Sequence, residues 1–288
     1  MTQETNYCAE AVDGLVNTAE MCINRNDKEF ILSCIPKMKS AIKFRLPDYG
    51  CLFEIDKKQG IEDSLKKYCS TLRLPYKTIL LEYAIGNDPL RFTDYDHKVQ
   101  TINHDAVICM ASEIDVDGDS HIVINPFYRS KAYGPRLWLP LNFGASINQN
   151  DYSIKFFAQS EEGKQLGRDN FSLVYSDIIG ELTAFSQFIT ALSCSNSSIA
   201  DDRPPSRELN AKRKRKGKTP FFTYKVLTIS TGASSGKGES MGGSHSSPRV
   251  HLRRGHIRRL TDRTVWVNSC VVGDKSKGMV VKDYQVTA

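Results

Sequence analysis

The sequence predicts an α+β protein. Three patterns support that class: two helical stripes near the N-terminus, a series of strand-length apolar segments through the middle, and one long amphipathic helix after them. A basic, strand-rich stretch closes the chain.

Residues 7–24 place Val12, Leu15, Val16, Ala19, Cys22 and Ile23 at helical spacing, and residues 27–43 repeat the pattern with Phe30, Ile31, Cys34, Ile35, Met38 and Ile42. Asp27 is the expected cap of the second helix, and Pro36 is an expected kink. Residues 46–55 read as a turn followed by a short strand, and residues 61–70 as a short third helix. Residues 78–83 are apolar on both faces, the mark of a central strand. Residues 106–114 and 121–127 are two more strands. They are joined by Asp115-Val116-Asp117-Gly118-Asp119, whose glycine supplies the positive φ of a hairpin turn. Residues 138–142 and 152–158 extend a mostly antiparallel sheet. In residues 169–194, Phe171, Val174, Ile178, Leu182, Phe185, Ile189 and Leu192 step by three or four and form one apolar stripe. Asp177 and Glu181 fall on the polar side of that helix, which is expected to cover the sheet.

The charge is unevenly spread. Residues 203–263 hold 16 Lys/Arg against 3 Asp/Glu, a surplus of 13, whereas the rest of the chain holds 23 against 30, a deficit of 7. A near-neutral to acidic body with a basic module is expected: body 1–195, basic linker 196–219 and β-rich module 220–288, with a Gly/Ser loop at 231–247. Within the linker, Lys212, Arg213, Lys214, Arg215 and Lys216 form a run of like charges that reads as solvated and mobile in the absence of a ligand. Basic modules meet RNA, DNA or acidic protein surfaces.

Composition also excludes several classes. The eight cysteines form no C-x-x-C pair, so they read as buried small hydrophobes in a reducing cytoplasm, not as zinc ligands. The N-terminus lacks the cationic start and apolar run of a signal peptide. No stretch approaches about 18 consecutive apolar residues, so no membrane span is expected. The Asp115, Asp117, Asp119 series lacks the remainder of a calcium loop. Residues 232–238 miss both the glycine spacing and the Ser/Thr of a phosphate-binding loop. No cofactor and no metal are expected.

The densest constellation is Pro248-Arg249-Val250-His251-Leu252-Arg253-Arg254-Gly255-His256-Ile257-Arg258-Arg259-Leu260. In an unbroken strand Val250 and Leu252 share a face and Ile257 takes the other. A β-bulge at Arg254-Gly255 removes that conflict. Val250, Leu252 and Ile257 then face inward, with Arg259 as a further inward candidate. Arg249, His251, Arg253, His256 and Arg258 line the outer face. Guanidiniums in a row suit phosphate or carboxylate oxygens. The same row also fits an acidic protein partner or a solvated sheet edge. His251 and His256 beside cations are candidates for general acid–base cleavage of RNA, an enzyme reading that competes with pure binding. A DNA-binding regulator is a third reading. Phe221, Phe222 and Tyr224 follow the basic run and have the chemistry to stack on bases, although core packing is the commoner use of such rings.

The series Pro248-Arg249-x-His251-x-Arg253-Arg254-Gly255-His256-x-Arg258-Arg259 is followed by Trp266-Val267, Val271-Val272-Gly273 and Gly278-x-Val280-x-Lys282-Asp283-Tyr284-x-Val286. It resembles the C-terminus of a phage and mobile-element protein family that includes the second type V-A anti-CRISPR protein. Leu46-Pro47-Asp48-Tyr49 leading into Phe53-Glu54-Ile55, Asn103-His104-Asp105 before an acidic turn and Pro126-Phe127, and the basic then aromatic segment 208–229 are similar to it in kind and order. The resemblance implies a phage-encoded counter-defence or host-takeover protein acting in the host cytoplasm. Its anti-CRISPR branch is similar to proteins that suppress production of an effector nuclease by recognising the emerging polypeptide and lowering its message. The partners so implied are RNA and a host or defence-system polypeptide. The resemblance assigns no catalytic residue.

Overall fold

The computed structural model describes residues 6–53, 60–69, 71–85, 91–93, 99–101, 104–130, 137–167, 171–229, 249–253, 256–267, 270–272 and 274–279. In chain order the elements are α1 (Tyr7–Met21), α2 (Arg25–Ser40), β1 (Ile42–Arg45), a 3-10 turn (Asp48–Gly50), α3 (Ile61–Tyr68), β2 (Thr78–Ala84), β3 (Arg91–Thr93), β4 (Val99–Thr101), β5 (His104–Val116), β6 (Asp119–Ser130), β7 (Leu137–Pro140), β8 (Phe143–Asn148), β9 (Ile154–Ala158), α4 (Glu161–Gly167) and α5 (Phe171–Leu192). They continue with β10 (Ser197–Asp201), α6 (Arg207–Arg215), β11 (Tyr224–Ile229), β12 (Arg249–Arg253), β13 (His256–Arg259), β14 (Thr264–Val267), β15 (Cys270–Val272) and β16 (Asp274–Met279).

The fold is α+β, built on a nine-stranded sheet in the order β10-β11-β1-β2-β5-β6-β8-β9, with β7 also paired to β6. β1 runs parallel to both β2 and β11, and the other pairings in this sheet are antiparallel. β2 is central and buried on both faces, as its continuous apolar run predicts. Alternation divides its side chains between two cores. Ile79, Leu81 and Tyr83 pack with Ile178, Leu182 and Phe185 of α5 and Leu65 of α3. Leu80 packs on the other face with Val12 and Leu15 of α1 and Ile31 and Met38 of α2. The molecule is therefore three layers deep: α1 and α2, the sheet, then α3 and α5. Among the described residues, no helix is long and apolar enough to cross a membrane.

The β5–β6 turn takes the expected form. Asp117 and Gly118 have φ values of 54° and 86°, and Gly118 N–H donates to Asp115 Oδ1 at 3.0 Å. Elsewhere the structure corrects local expectations. Asn24, not Asp27, caps α2, accepting from the N–H groups of Asn26 and Asp27. Asn24 lies just before the helix with extended backbone, where a cap must sit. The described part of residues 46–55 forms a 3-10 turn, with no strand over residues 51–53. β8 pairs with β6 and β9 although its composition, Phe-Gly-Ala-Ser-Ile-Asn, gives little strand signal.

Two corrections bear on function. The stretch expected as a basic linker over residues 196–219 contains β10 and α6. β10 pairs along its whole length with β11, which joins β1, so the main sheet extends past the long helix. Glu181, expected on the polar side of α5, is 7% exposed. Its carboxyl lies beside Tyr83 of β2 and Cys109 of β5, so this part of the polar stripe faces the sheet. Burial pushes the Glu181 carboxyl up to about 7 and that of Asp177 up to about 6.

Candidate cationic interface

The Lys/Arg run 212–216 was expected to be mobile, and it forms the C-terminal half of α6. Three local features offset the like-charge repulsion. Ser206 caps the N-terminus, its Oγ accepting from Leu209 N–H at 3.4 Å. Glu208 lies in the first turn, and Lys212, Arg213, Lys214 and Arg215 lie in the last, so both signs of charge suit the helix dipole. Gly217, at φ 67°, then ends the helix: Gly217 N–H reaches Lys214 O at 3.0 Å and Lys218 N–H reaches Arg213 O at 3.0 Å.

The helix is held in place by its inward face. Asn210 pairs with the Phe221 backbone in both directions, donating Nδ2–H to Phe221 O at 3.0 Å and accepting Phe221 N–H at 2.7 Å. Arg213 stacks over the Phe221 ring at 4.1 Å, donates Nε–H to Thr219 O at 2.7 Å and pairs with Asp13 of α1 at 3.3 Å. Lys212, Lys214, Arg215 and Lys216 are exposed. None of the four has an acidic partner among the described residues. The result is a fixed cationic ridge.

The rings after the basic run are not free to stack on bases. Lys43 Nζ lies 4.0 Å over Phe222, and the Arg45 guanidinium lies 4.7 Å over Tyr224. Lys43 is buried, donates to Lys39 O and Ala41 O at 2.8 and 2.6 Å, and has its pKa lowered by burial. Tyr224 donates its phenol to Glu82 of β2, and the same carboxylate oxygen accepts Cys8 N–H at 3.0 Å. Burial pushes Glu82 up to about 7, against the lowering effect of those two donors and of Arg45. Asn6 also grips this segment, donating to Phe222 O at 2.9 Å. The aromatic residues thus lock β11 to the N-terminal helices.

The Pro248–Leu260 stretch divides between two sheets. β12 pairs with β15 and β16, and β13 pairs with β14. The bulge expected at Arg254-Gly255 lies outside the described residues, as do the side chains of Arg249, His251, Arg253 and His256. In β13, Ile257 is half-buried and Arg258 is exposed. Arg259 donates to Lys67 O at 2.8 Å, near the C-terminus of α3, where carbonyls lack helical partners. The β13–β14 hairpin is anchored by a two-way Asn196–Trp266 backbone pair at 2.8 and 2.9 Å, by Ser195 N–H to Thr264 O at 2.8 Å, and by Trp266 edge-on to Phe53 at 5.3 Å.

This anchoring separates α6 from the β13 end of the second basic segment. α6 leans on α1, on one side of the sheet, and β13–β14 leans on α3 and the end of α5, on the other.

The AcrVA2-like model, described as the anti-CRISPR type V subtype A2 family, matches residues 58–261. The chain belongs to that family. Among solved structures, the crystal structure of AcrVA2 is similar over 92% of this chain and 86% of that chain, with 14% sequence identity and a TM-score of 0.34. No curated protein matches. The AcrVA2-like span takes in α6, β11, β12 and β13, and so both basic segments. It begins after α1, which supplies the Asp13 anchor.

Several residues that shape this surface gave no signal in the sequence. Asp13 and Asn6 act across more than 190 positions of chain, beyond the reach of any local pattern. Glu82 did leave a trace: it is the one charged residue within an otherwise apolar central strand, a placement that calls for buried donors.

Proposed function

We propose that this AcrVA2-family protein is a phage-encoded counter-defence protein that lowers production of a type V-A effector nuclease in the host cytoplasm. It acts by binding: the α6 ridge meets RNA, and a separate surface meets the emerging polypeptide. The single observation behind the RNA half is that Lys212, Lys214, Arg215 and Lys216 stand exposed and without acidic partners on a helix that Asn210 and Arg213 hold rigid. Cations carried on the solvent side of an already formed helix bind a phosphate backbone without the helix first having to be ordered. The separation of α6 from β13–β14 supports two ligands held at once, since each segment rests on a different layer.

The test is expression beside a type V-A effector, with effector protein and mRNA both measured and the inhibitor recovered with and without RNase. Both levels should fall, RNA should copurify, and reversal of the α6 charges should restore effector mRNA. Unchanged effector protein and mRNA, together with an RNA-free recovery, would overturn the proposal.

A further inference from the structure

A cleft of about 570 Å³ opens between α1, the end of α2 and the return that follows α6. That volume lies within the range of about 300–1,000 Å³ usual for ligand pockets. Val16 of α1, 39% exposed, is the accessible aliphatic side chain of its wall, with the buried Val12 and Gly14 behind it. Glu10 and Asp13 also line it, but both carboxylates are engaged. Arg129 holds Glu10 at 2.8 Å while holding Asp105 at 2.7 Å. Arg213 holds Asp13 at 3.3 Å, and Thr219 N–H donates to the other oxygen of the same carboxylate at 3.0 Å. The remaining charged groups are Lys39 and Lys218, both exposed and both without an acidic partner among the described residues.

We infer that this cleft seats a nucleotide of single-stranded RNA, with the Lys39 and Lys218 ammoniums on the phosphates that flank it and Val16 beneath the sugar and base. The inference rests on the RNA reading of α6 and extends it. Lys218 belongs to the return that leaves α6, two residues after Lys216, so the cleft adjoins the C-terminal end of the cationic helix. A strand tracking that ridge arrives at the cleft. A duplex is too wide to enter it. An acidic peptide is the competing occupant, and the probes below separate it from RNA. The cleft lining has no aromatic side chain, so binding there is tolerant of sequence and driven by phosphate contacts. Each phosphate neutralised on a single strand adds about 0.7 to the slope of log affinity against log salt.

The test uses the full chain, a fluorescein-labelled oligouridine and anisotropy across a salt series, with three variants. K39Q/K218Q removes the two free cations. V16W fills the cleft from a half-exposed position without changing charge. A charge reversal of Lys212, Lys214, Arg215 and Lys216 reports on the ridge alone. K39Q/K218Q should bind roughly tenfold more weakly at low salt, with a slope shallower by about 1.4. V16W should also weaken binding, with the slope unchanged. If the ridge variant loses RNA while K39Q/K218Q and V16W bind as the parent does, the cleft is no RNA seat and the α6 reading stands. If the parent binds no RNA, both fall. If the cleft variants lose only a polyglutamate probe and keep RNA, the cleft serves an acidic polypeptide and the inference is overturned.

Discussion

Arg213 of α6 reaches Asp13 of α1 at 3.3 Å, across 200 positions of chain. The other oxygen of Asp13 accepts Thr219 N–H at 3.0 Å. One carboxylate therefore holds both the helix and the chain that turns back from it. Asp13→Ala removes the ion pair and leaves Arg213 Nη2 and the Thr219 N–H without their acceptor, while Arg213 Nε keeps Thr219 O. The expected cost is about 1–3 kcal/mol in chemical denaturation. Hydrogen exchange should accelerate over residues 207–219 and stay slow in β2 and β5.

The Tyr224–Glu82 hydrogen bond joins β11 to the centre of the sheet. Tyr224→Phe keeps the ring under Arg45 and deletes only the donor. The expected destabilisation is about 1–3 kcal/mol. It should be larger at pH 8 than at pH 5, because the charged carboxylate needs the donor more than the neutral acid does. Denaturation midpoints of the two proteins at the two pH values test this.

Glu181 and Glu82 are both held above the ordinary carboxylate range, each pushed up to about 7 by burial. Between an ordinary value of about 4.3 and about 7, the folded state keeps protons that the unfolded chain has released. Stability contributed by these groups is present at low pH and is lost as pH rises through that window. Glu181→Gln stays neutral throughout. The variant should match the parent near pH 4.5 and exceed it at pH 8, by on the order of 3 kcal/mol as an upper limit. A pH series of urea midpoints measures the difference.

Gly50 ends the 3-10 turn at φ 67°, and a Cβ built there would lie 2.5 Å from Ala184 Cβ on α5. Backbone strain and overlap act together at this position. Gly50→Ala should cost about 2–4 kcal/mol, and thermal melting should show it. Ala184→Gly in the same chain should recover part of the loss by relieving the overlap.

The elements that were legible are those whose signal is periodic and local. The stripe of Val174, Ile178, Leu182, Phe185 and Ile189 foretold α5, and the doubly apolar run of β2 foretold a central strand. The Asp117-Gly118 turn was legible because positive φ restricts the choice of residue. β10 was missed because Ser197, Ser198 and Asp201 carry no apolar alternation; its pairing comes from the register of β11. α6 was read as mobile because charge repulsion is visible in the sequence, whereas Asp13 and the paired contacts of Asn210 are not. Glu181 was placed on a polar face because a carboxylate carries no apolar signal, and its place beside Tyr83 and Cys109 of the sheet is set by packing. The positions of Lys212, Lys214, Arg215 and Lys216 as candidate contacts were legible as charge, and their place on a helix anchored through Asn210 and Arg213 became evident only in three dimensions.

The central claim is that α6 is a preformed RNA-binding ridge. The most direct measurement is the affinity of the full chain for labelled single-stranded RNA over a salt series, set against a K212E/K214E/R215E/K216E variant of unchanged circular dichroism. The account expects a steep salt dependence for the parent and a loss of roughly a hundredfold or more in the variant, with the residual slope shallower by about 2.8 if all four cations touch phosphates. Equal affinity and equal slope in the two proteins would contradict it.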